Sequence, residues 1–158
     1  MSSSLVLKIK YDITFLLFAI KSDLDDFQLA YFLNKSPFFR FKRDEDDINY
    51  STGIRNIKFS KFIDDNLDEK KKSFLLQNKI VYSSETSDNY GLFDNQPISR
   101  VACLLQELKD FNYLLKLDGI WNQSVLISLY NYLNSMQQIE TVAKIDVSKV
   151  KSINNLVF

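Results

Sequence analysis

The sequence contains no histidine, one cysteine (Cys103), three glycines and two prolines. Without imidazole, the chain lacks the side chain that most often moves protons or activates a nucleophile near neutral pH. A single cysteine forms no internal disulfide, and one thiol without imidazole cannot complete a tetrahedral zinc shell. Three scattered glycines build no glycine-rich phosphate loop. These absences exclude most familiar catalytic centres, and we expect no cofactor and no metal.

An excess of either charge sign is also missing, since 20 Lys and Arg balance 20 Asp and Glu. A dominant nucleic-acid or anionic-membrane partner usually requires a basic surplus. The densest apolar run, 15–20, is too short to span a bilayer, and Lys8 and Lys10 interrupt the N-terminal apolar stretch where a secretory leader would be continuous. We therefore expect a cytoplasmic protein with no membrane partner.

What the chain does contain is material for a core: 46% of its 158 residues are hydrophobic and 14% are aromatic. That length and composition predict a single domain over residues 1–158. The polar stretch 83–97, with Gly91 and Pro97, predicts a flexible internal loop within it.

Alternating or continuous apolar patterns predict seven strands. They lie at 5–10, 15–20, 38–43, 55–63, 73–82, 114–118 and 141–147. The run at 15–20 has no polar alternation, which is typical of a strand covered on both faces. The charged stretch 64–72 predicts a long hairpin tip between two of these strands.

Two helices are predicted from capping residues and apolar spacing. Ser22 and Asp25 have the spacing of a capping box, and Pro37 sets the end of the first helix. Asn122 is a good N-cap for the second. One apolar stripe follows it, formed by Leu126, Leu129, Tyr130, Leu133 and Met136. The order of elements favours an α+β fold, with a mostly antiparallel sheet and two main helices packed on one face.

The segment 105–113 reads LQELKDFNY and resembles the signature of the bacterial IPExxxVDY family. Two of the six motif positions are identical, two are apolar replacements and two depart from the motif. The identical positions are Glu107 and Tyr113, the apolar replacements are Leu105 and Phe111, and the departures are Gln106 and Asn112.

Two further segments support the same resemblance. Residues 26–34, DFQLAYFLN, are similar to the family's DYRLAWxLN helix, and residues 151–158, KSINNLVF, are similar to its KSKxNLIF tail. The family has no established activity, so the resemblance implies no catalytic residues, and the motif positions have no assigned role.

A carboxylate–tyrosine site is one alternative for the motif segment. Glu107, Asp110 and Tyr113 could line a pocket at the start of the strand 114–118, where burial would prepare a carboxylate for acid–base work. The competing interpretation, which we favour, is structural: Glu107 caps a turn, and Tyr113 is a strand residue with a hydrogen-bonded hydroxyl.

An RNA-binding sheet is a second alternative. Arg40, Lys42 and Arg43 alternate with Phe39 and Phe41, a pattern typical of strands that stack bases on aromatic rings. Strand alternation alone would instead bury both phenylalanines and leave the basic residues in water. We favour that core interpretation because the net charge is zero.

Acidic runs and the cysteine have simpler interpretations. Residues 44–47 and 64–65 could supply oxygen ligands to Mg²⁺ or Ca²⁺, but consecutive carboxylates point in different directions, so a solvated turn is favoured. Cys103 has no imidazole to activate it and apolar neighbours, and we expect a buried thiol.

The tail that ends at Phe158 could dock in a partner's pocket or pack against the protein's own sheet, and the sequence leaves both open. Taken together, the sequence favours a non-enzymatic interaction or adaptor protein with a protein partner, a homodimer being one form of it.

Overall fold

A computed structural model describes residues 13–51, 53, 55–67, 69–84 and 98–158. Its regular elements are two α-helices and ten strands within these ranges. In chain order they are β1 (Leu16–Lys21), α1 (Asp26–Asn34), β2 (Lys42–Arg43), β3 (Ile48–Ser51), β4 (Asn56–Phe59), β5 (Lys61–Asn66), β6 (Lys71–Gln77), β7 (Lys79–Ser84), β8 (Ile98–Cys103), β9 (Tyr113–Asp118), α2 (Gln123–Ser135) and β10 (Thr141–Ile145). Short 3₁₀ helices cover Gln106–Leu108, Val147–Lys149 and Ile153–Leu156.

Six strands form one antiparallel sheet in the order β10-β1-β9-β6-β5-β2. Its centre is built from the continuous apolar runs, and Ala19 of β1 pairs with Leu114 of β9 on one side and Ala143 of β10 on the other. Both faces of β1 and β9 are buried, as the unbroken apolar sequences predict.

Both helices pack on the same face of this sheet. Because side chains alternate along a strand, Phe18 and Leu115 point to this face and meet Leu29 of α1 and Leu129 of α2. The predicted α+β architecture, a single domain with two helices on one side, is thereby confirmed.

The opposite face carries a second layer that the sequence did not predict. The two-stranded ribbons β3–β4 and β7–β8 and the chain after β10 cover it. Leu17 and Leu76 of the sheet contact this layer, which buries Phe59, Leu104 and Leu156. Of the two placements left open for the tail, the structure has it against the protein's own sheet.

Two predicted strands are each broken in the middle. Ser60 separates β4 from β5, and Asn78 separates β6 from β7. The predicted hairpin of 55–63 with 73–82 is therefore wrong in the half that lies farther from its turn. At the corner, the Gln77 backbone N–H donates to the Ser60 carbonyl at 3.0 Å. The chain passes there from the main sheet into the covering layer, where β4 pairs with β3 and β7 with β8.

Several boundaries also differ. The predicted charged tip 64–72 is mostly strand, because β5 continues to Asn66 and β6 begins at Lys71. Of 38–43 only β2 is paired, and β3 and β8 were missed. The predicted strand 5–10 lies outside the described residues, as does the predicted loop 83–97 apart from residues 83 and 84, which belong to β7.

The first helix is capped by Asp25, which forms a capping box with Gln28, and Ser22 was the wrong N-cap. The Ser22 hydroxyl instead donates to the Gln138 carbonyl at 2.6 Å. Asn122 caps α2 as predicted and accepts from the Ser124 backbone N–H at 3.0 Å. Within the described ranges, no helix is both long and apolar enough to cross a membrane.

Candidate functional site

The motif segment 105–113 joins β8 to β9 and is held in place by the fully buried side chain of Asn78. The Asn78 amide nitrogen donates to the carbonyl oxygens of Leu108 and Phe111, each at 2.9 Å. Its oxygen accepts from the Leu105 backbone N–H at 2.8 Å. One interior side chain thus satisfies three backbone groups of the segment and fixes its path.

Glu107, the motif's acidic residue, is exposed and fastens the tail. Its carboxylate accepts hydrogen bonds from both the backbone N–H, at 2.9 Å, and the hydroxyl of Ser152. The Ser152 hydroxyl is the main reason why the pKa of Glu107 is lowered from its ordinary value. A carboxylate held ionised in this way is suited to anchoring and not to donating a proton.

Tyr113, the motif's last residue, is buried on the helix side of the sheet. Its hydroxyl donates to the Leu24 carbonyl, just before α1 begins. Burial, and then the nearby carboxylates of Asp26 and Asp25, raise the pKa of Tyr113 well above its ordinary value of 10.0. The phenol stays protonated and ties β9 to the start of α1.

The two positions that depart from the family motif differ from each other in their surroundings. Gln106 is exposed. Asn112 donates its backbone N–H to the Ile20 carbonyl at 3.0 Å, and its side-chain oxygen accepts from the Ser22 backbone N–H at 3.0 Å. A carboxylate oxygen at this position would accept the same bond, so Asn112 supplies the kind of acceptor that an aspartate would supply.

The two apolar motif positions contribute to the core. Leu105 is fully buried and Phe111 is half-buried, both in the layer opposite the helices. In this chain the motif residues therefore have structural roles, in core packing and in hydrogen bonds to other parts of the fold.

The catalytic alternative receives no support from this geometry. Glu107 is exposed and bonded to the tail, Tyr113 is buried and bonded beside α1, and Asp110 is exposed. These side chains serve different elements and do not converge on one cleft.

The aromatic residues of the proposed RNA-binding strand lie in the core. Phe39 and Phe41 are 1% and 6% exposed and stack on each other with ring centroids 4.8 Å apart. Rings in that position cannot stack on bases. The core interpretation is confirmed for both.

The basic residues of the same strand are exposed, but two of the three are held by the protein itself. The Arg40 guanidinium donates to the carbonyls of Ser36 at 2.9 Å and of Phe39 at 2.7 Å. Arg43 pairs with Asp47, and Lys42 is exposed. This arrangement stabilises the connection between α1 and β2.

The acidic runs are dispersed into separate local contacts. The Asp44 carboxylate is 3.4 Å from the Lys61 ammonium, and the Asp46 backbone N–H is the main cause of a lowered Asp44 pKa. Asp65 lies 3.5 Å from Lys72. Nowhere in the described ranges do three potential metal-ligating side chains come together.

Cys103 lies at the end of β8 and is buried. Burial raises the pKa of its thiol, which disfavours the nucleophilic thiolate. The expectation of a buried cysteine is confirmed.

Phe158 stacks edge-on against Phe74, with ring centroids 5.2 Å apart, while half of its surface remains exposed. The Lys61 ammonium lies 4.7 Å from its ring centroid.

Two surface features were missed by sequence reasoning. One is the outer edge of β10, where the sheet ends. The other is a cavity between the β5–β6 hairpin and the start of α2. Alternation of Lys144 and Asp146 with apolar neighbours marks a half-exposed strand, but only the strand order shows that this strand is at the edge of the sheet.

Comparison with known proteins found no matching family model, curated protein or solved structure.

Proposed function

We propose that this is a cytoplasmic, non-enzymatic interaction protein that pairs with a second copy of itself through β10. The observation that carries the proposal is the position of β10 at one end of the six-stranded sheet, where β1 is its only neighbour among the residues that the structure describes. Its outer backbone N–H and C=O groups are therefore available to another strand. The second edge strand, β2, has only two residues and offers far less.

Two grooves meet at Lys144 on this edge. One, of about 270 Å³, is lined by Phe18, Leu126, Ile127 and Tyr130. The other, of about 390 Å³, lies along the end of the strand and is lined by Phe15, Leu16, Ile145 and Val147. A strand added to β10 would direct alternate side chains to the two faces, so both grooves can receive apolar atoms.

Charge complementarity favours a second copy as the added strand. An antiparallel pair centred on Val142 sets Val142 opposite its own symmetry mate. The same register sets Lys144 opposite Glu140 of the second copy, twice. Both side chains are exposed, and Glu140 would bind Lys144 of the second copy in addition to Lys21 of its own chain, whose ammonium is 3.0 Å away. Opposite charges directly across a strand pair stabilise it, whereas an edge lysine without such a partner discourages pairing.

Membership of the IPExxxVDY family is part of the same proposal, and the contacts between the three similar segments support it. α1 coincides with the segment 26–34. Glu107 bonds to Ser152 in the tail, and Tyr113 bonds to Leu24 just before α1. A motif whose residues bind one of the other similar segments, and the chain just before the second, agrees with a shared fold.

The experiment is sedimentation equilibrium on the wild type and on charge variants. We expect a wild-type dimer, and Lys144→Glu should weaken it at least about tenfold because each Lys–Glu pair becomes a like-charge pair. The double variant Glu140→Lys with Lys144→Glu restores opposite charges in swapped order and should recover the dimer.

Lys149→Glu is the matched control, since it makes the same charge change at an exposed residue beyond the strand. It should sediment as the wild type does. A monomeric wild type across the micromolar to millimolar range would contradict the proposed dimer. So would a double variant that dissociates as readily as Lys144→Glu.

A further inference from the structure

We propose that a cavity of about 260 Å³ on the helix side of the sheet binds a small, neutral, polyhydroxylated molecule, either a monosaccharide or a cyclitol. The cavity lies beside the β5–β6 hairpin, between the chain at Pro37 and Phe38 and the start of α2. In the strand order, β5 and β6 lie toward the end of the sheet that is opposite to β10. The inference is therefore independent of the proposed dimer.

The floor of the cavity is a square of four polar residues. Asp64 pairs with Ser73 across β5 and β6, and Asn66 pairs with Lys71 at the next position on the same face. Cross-strand partners lie close enough for one small ligand to contact several of them at once. The square presents hydroxyl, carboxylate, amide and ammonium groups, so it offers both donors and acceptors.

Ser73 is the residue that points to a ligand. It is 3% exposed and lines the cavity, and its hydroxyl has no hydrogen-bond partner within the described part of the chain. Although the residue is buried, its hydroxyl oxygen is not fully enclosed, and it faces the cavity, where a ligand hydroxyl can reach it. Opposite it, one oxygen of Asp64 accepts from the Arg40 backbone N–H at 2.9 Å, which leaves the second oxygen to accept from a ligand hydroxyl.

The charges around the cavity favour a neutral ligand. The Lys71 ammonium is 2.9 Å from the Glu69 carboxylate and 4.9 Å from the centroid of the Trp121 ring. The lining sets Asp64 and Glu69 against Lys71, so an anionic ligand would meet an excess of negative charge, and a cationic ligand would meet the Lys71 ammonium. Neutral hydroxyls can donate to the carboxylates and accept from the ammonium without that repulsion.

Apolar walls complete the match to a sugar-like molecule. Phe38, Trp121 and Val125 border the polar floor. The C–H faces of a sugar or cyclitol ring can pack on such side chains while its hydroxyls reach the floor. The volume is just below the usual range of small-molecule sites, which suits a single ring and not an oligosaccharide.

Trp121 provides a selective measurement, because it is the only tryptophan in the chain. Its fluorescence should be followed while D-glucose, D-galactose, D-mannose and myo-inositol are titrated, with D-glucosamine and D-glucuronate as charged analogues, and calorimetry should be run in parallel. We expect a saturable response to at least one neutral compound. Ser73→Ala and Asp64→Asn should each weaken that response about tenfold, the loss of one good hydrogen bond.

Asp65→Asn is the matched control, since it changes the next carboxylate on the same strand, on the opposite face, beside Lys72. It should bind as the wild type does. Absence of saturable binding by both methods would overturn the assignment. Tighter binding of a charged analogue, or unchanged affinity in Ser73→Ala and Asp64→Asn, would overturn it as well. Sedimentation of these variants should match the wild type, which separates failure here from failure of the dimer.

Discussion

The ammonium of Lys116 donates a hydrogen bond of 2.8 Å to the carbonyl oxygen of Leu156, 40 residues further along the chain. Lys116 is on the central strand β9 and is 4% exposed. The rings of Phe15, Phe74 and Phe158 surround its ammonium at 4.8, 5.1 and 4.3 Å. A buried charge therefore ties the tail to the middle of the sheet, where cation–π contacts partly replace water.

Lys116→Met should reveal this charge through the pH dependence of stability. Burial is the main cause that lowers the pKa of Lys116 below its ordinary value of 10.5. Between the lowered pKa and 10.5 the unfolded chain binds more protons than the folded one, so the Lys116 contribution to stability rises with pH. In urea unfolding, the wild type should gain stability relative to Lys116→Met as pH increases through that window. Parallel pH profiles would contradict a buried, titrating ammonium.

Tyr113→Phe should reveal a pH dependence of stability with the opposite sign. The pKa of Tyr113 is raised above 10.0, so above pH 10 the unfolded chain loses a proton that the folded chain retains. Wild-type stability should then fall with pH relative to Tyr113→Phe. At neutral pH the variant should be about 1 kcal/mol less stable, because the Leu24 carbonyl loses its donor. A variant that matches the wild type at both pH values would show that this bond contributes nothing.

Asn78→Ala should be among the most destabilising single changes in the chain. It would leave the Leu105 N–H and the Phe111 carbonyl without their buried partner, while the Leu108 carbonyl would keep its bond from the Phe111 backbone N–H at 3.0 Å. At about 1–3 kcal/mol for each of the two unsatisfied groups, a loss of at least about 2 kcal/mol is expected in chemical unfolding. The comparison is Asn131→Ala on the exposed side of α2, which should change stability by less than about 0.5 kcal/mol. Similar losses of stability for the two variants would contradict the role of Asn78 as the anchor of the motif segment.

Gly119→Ala and Gly53→Ala separate backbone strain from steric collision. Both glycines have positive φ, +95° and +84°, which any L side chain disfavours by about 1 kcal/mol. A Cβ at Gly119 would lie 2.6 Å from the Lys70 carbonyl oxygen, whereas a Cβ at Gly53 would have no atom of the described residues within 4 Å. The melting temperature should therefore fall clearly more for Gly119→Ala. Equal shifts would mean that the turn after β9 relaxes away from Lys70.

The elements that could be predicted from the sequence are those that local pattern determines. The apolar runs at β1 and β9 and the Asn122 cap of α2 depend on neighbouring residues alone. The corners at Ser60 and Asn78 could not be found this way, because each residue lies inside a stretch whose pattern predicts one continuous strand, and each bonds to distant groups.

The candidate sites divide in the same manner. Glu107 and Tyr113 were singled out by the motif, but their partners Ser152 and Leu24 are 45 and 89 residues away, so their structural role required the fold. The edge position of β10 and the square around Ser73 depend on strand order and register. No local pattern specifies either of them.

Hydrogen–deuterium exchange of the β10 amides as a function of protein concentration tests the proposed pairing most directly. Strand addition would protect the outward-facing N–H groups of Thr141–Ile145, and that protection should grow as concentration rises through the dimer dissociation constant. Amides of the short edge strand β2, Lys42 and Arg43, serve as the internal reference and should exchange independently of concentration. Exchange in β10 that is equally fast at all concentrations would contradict the account.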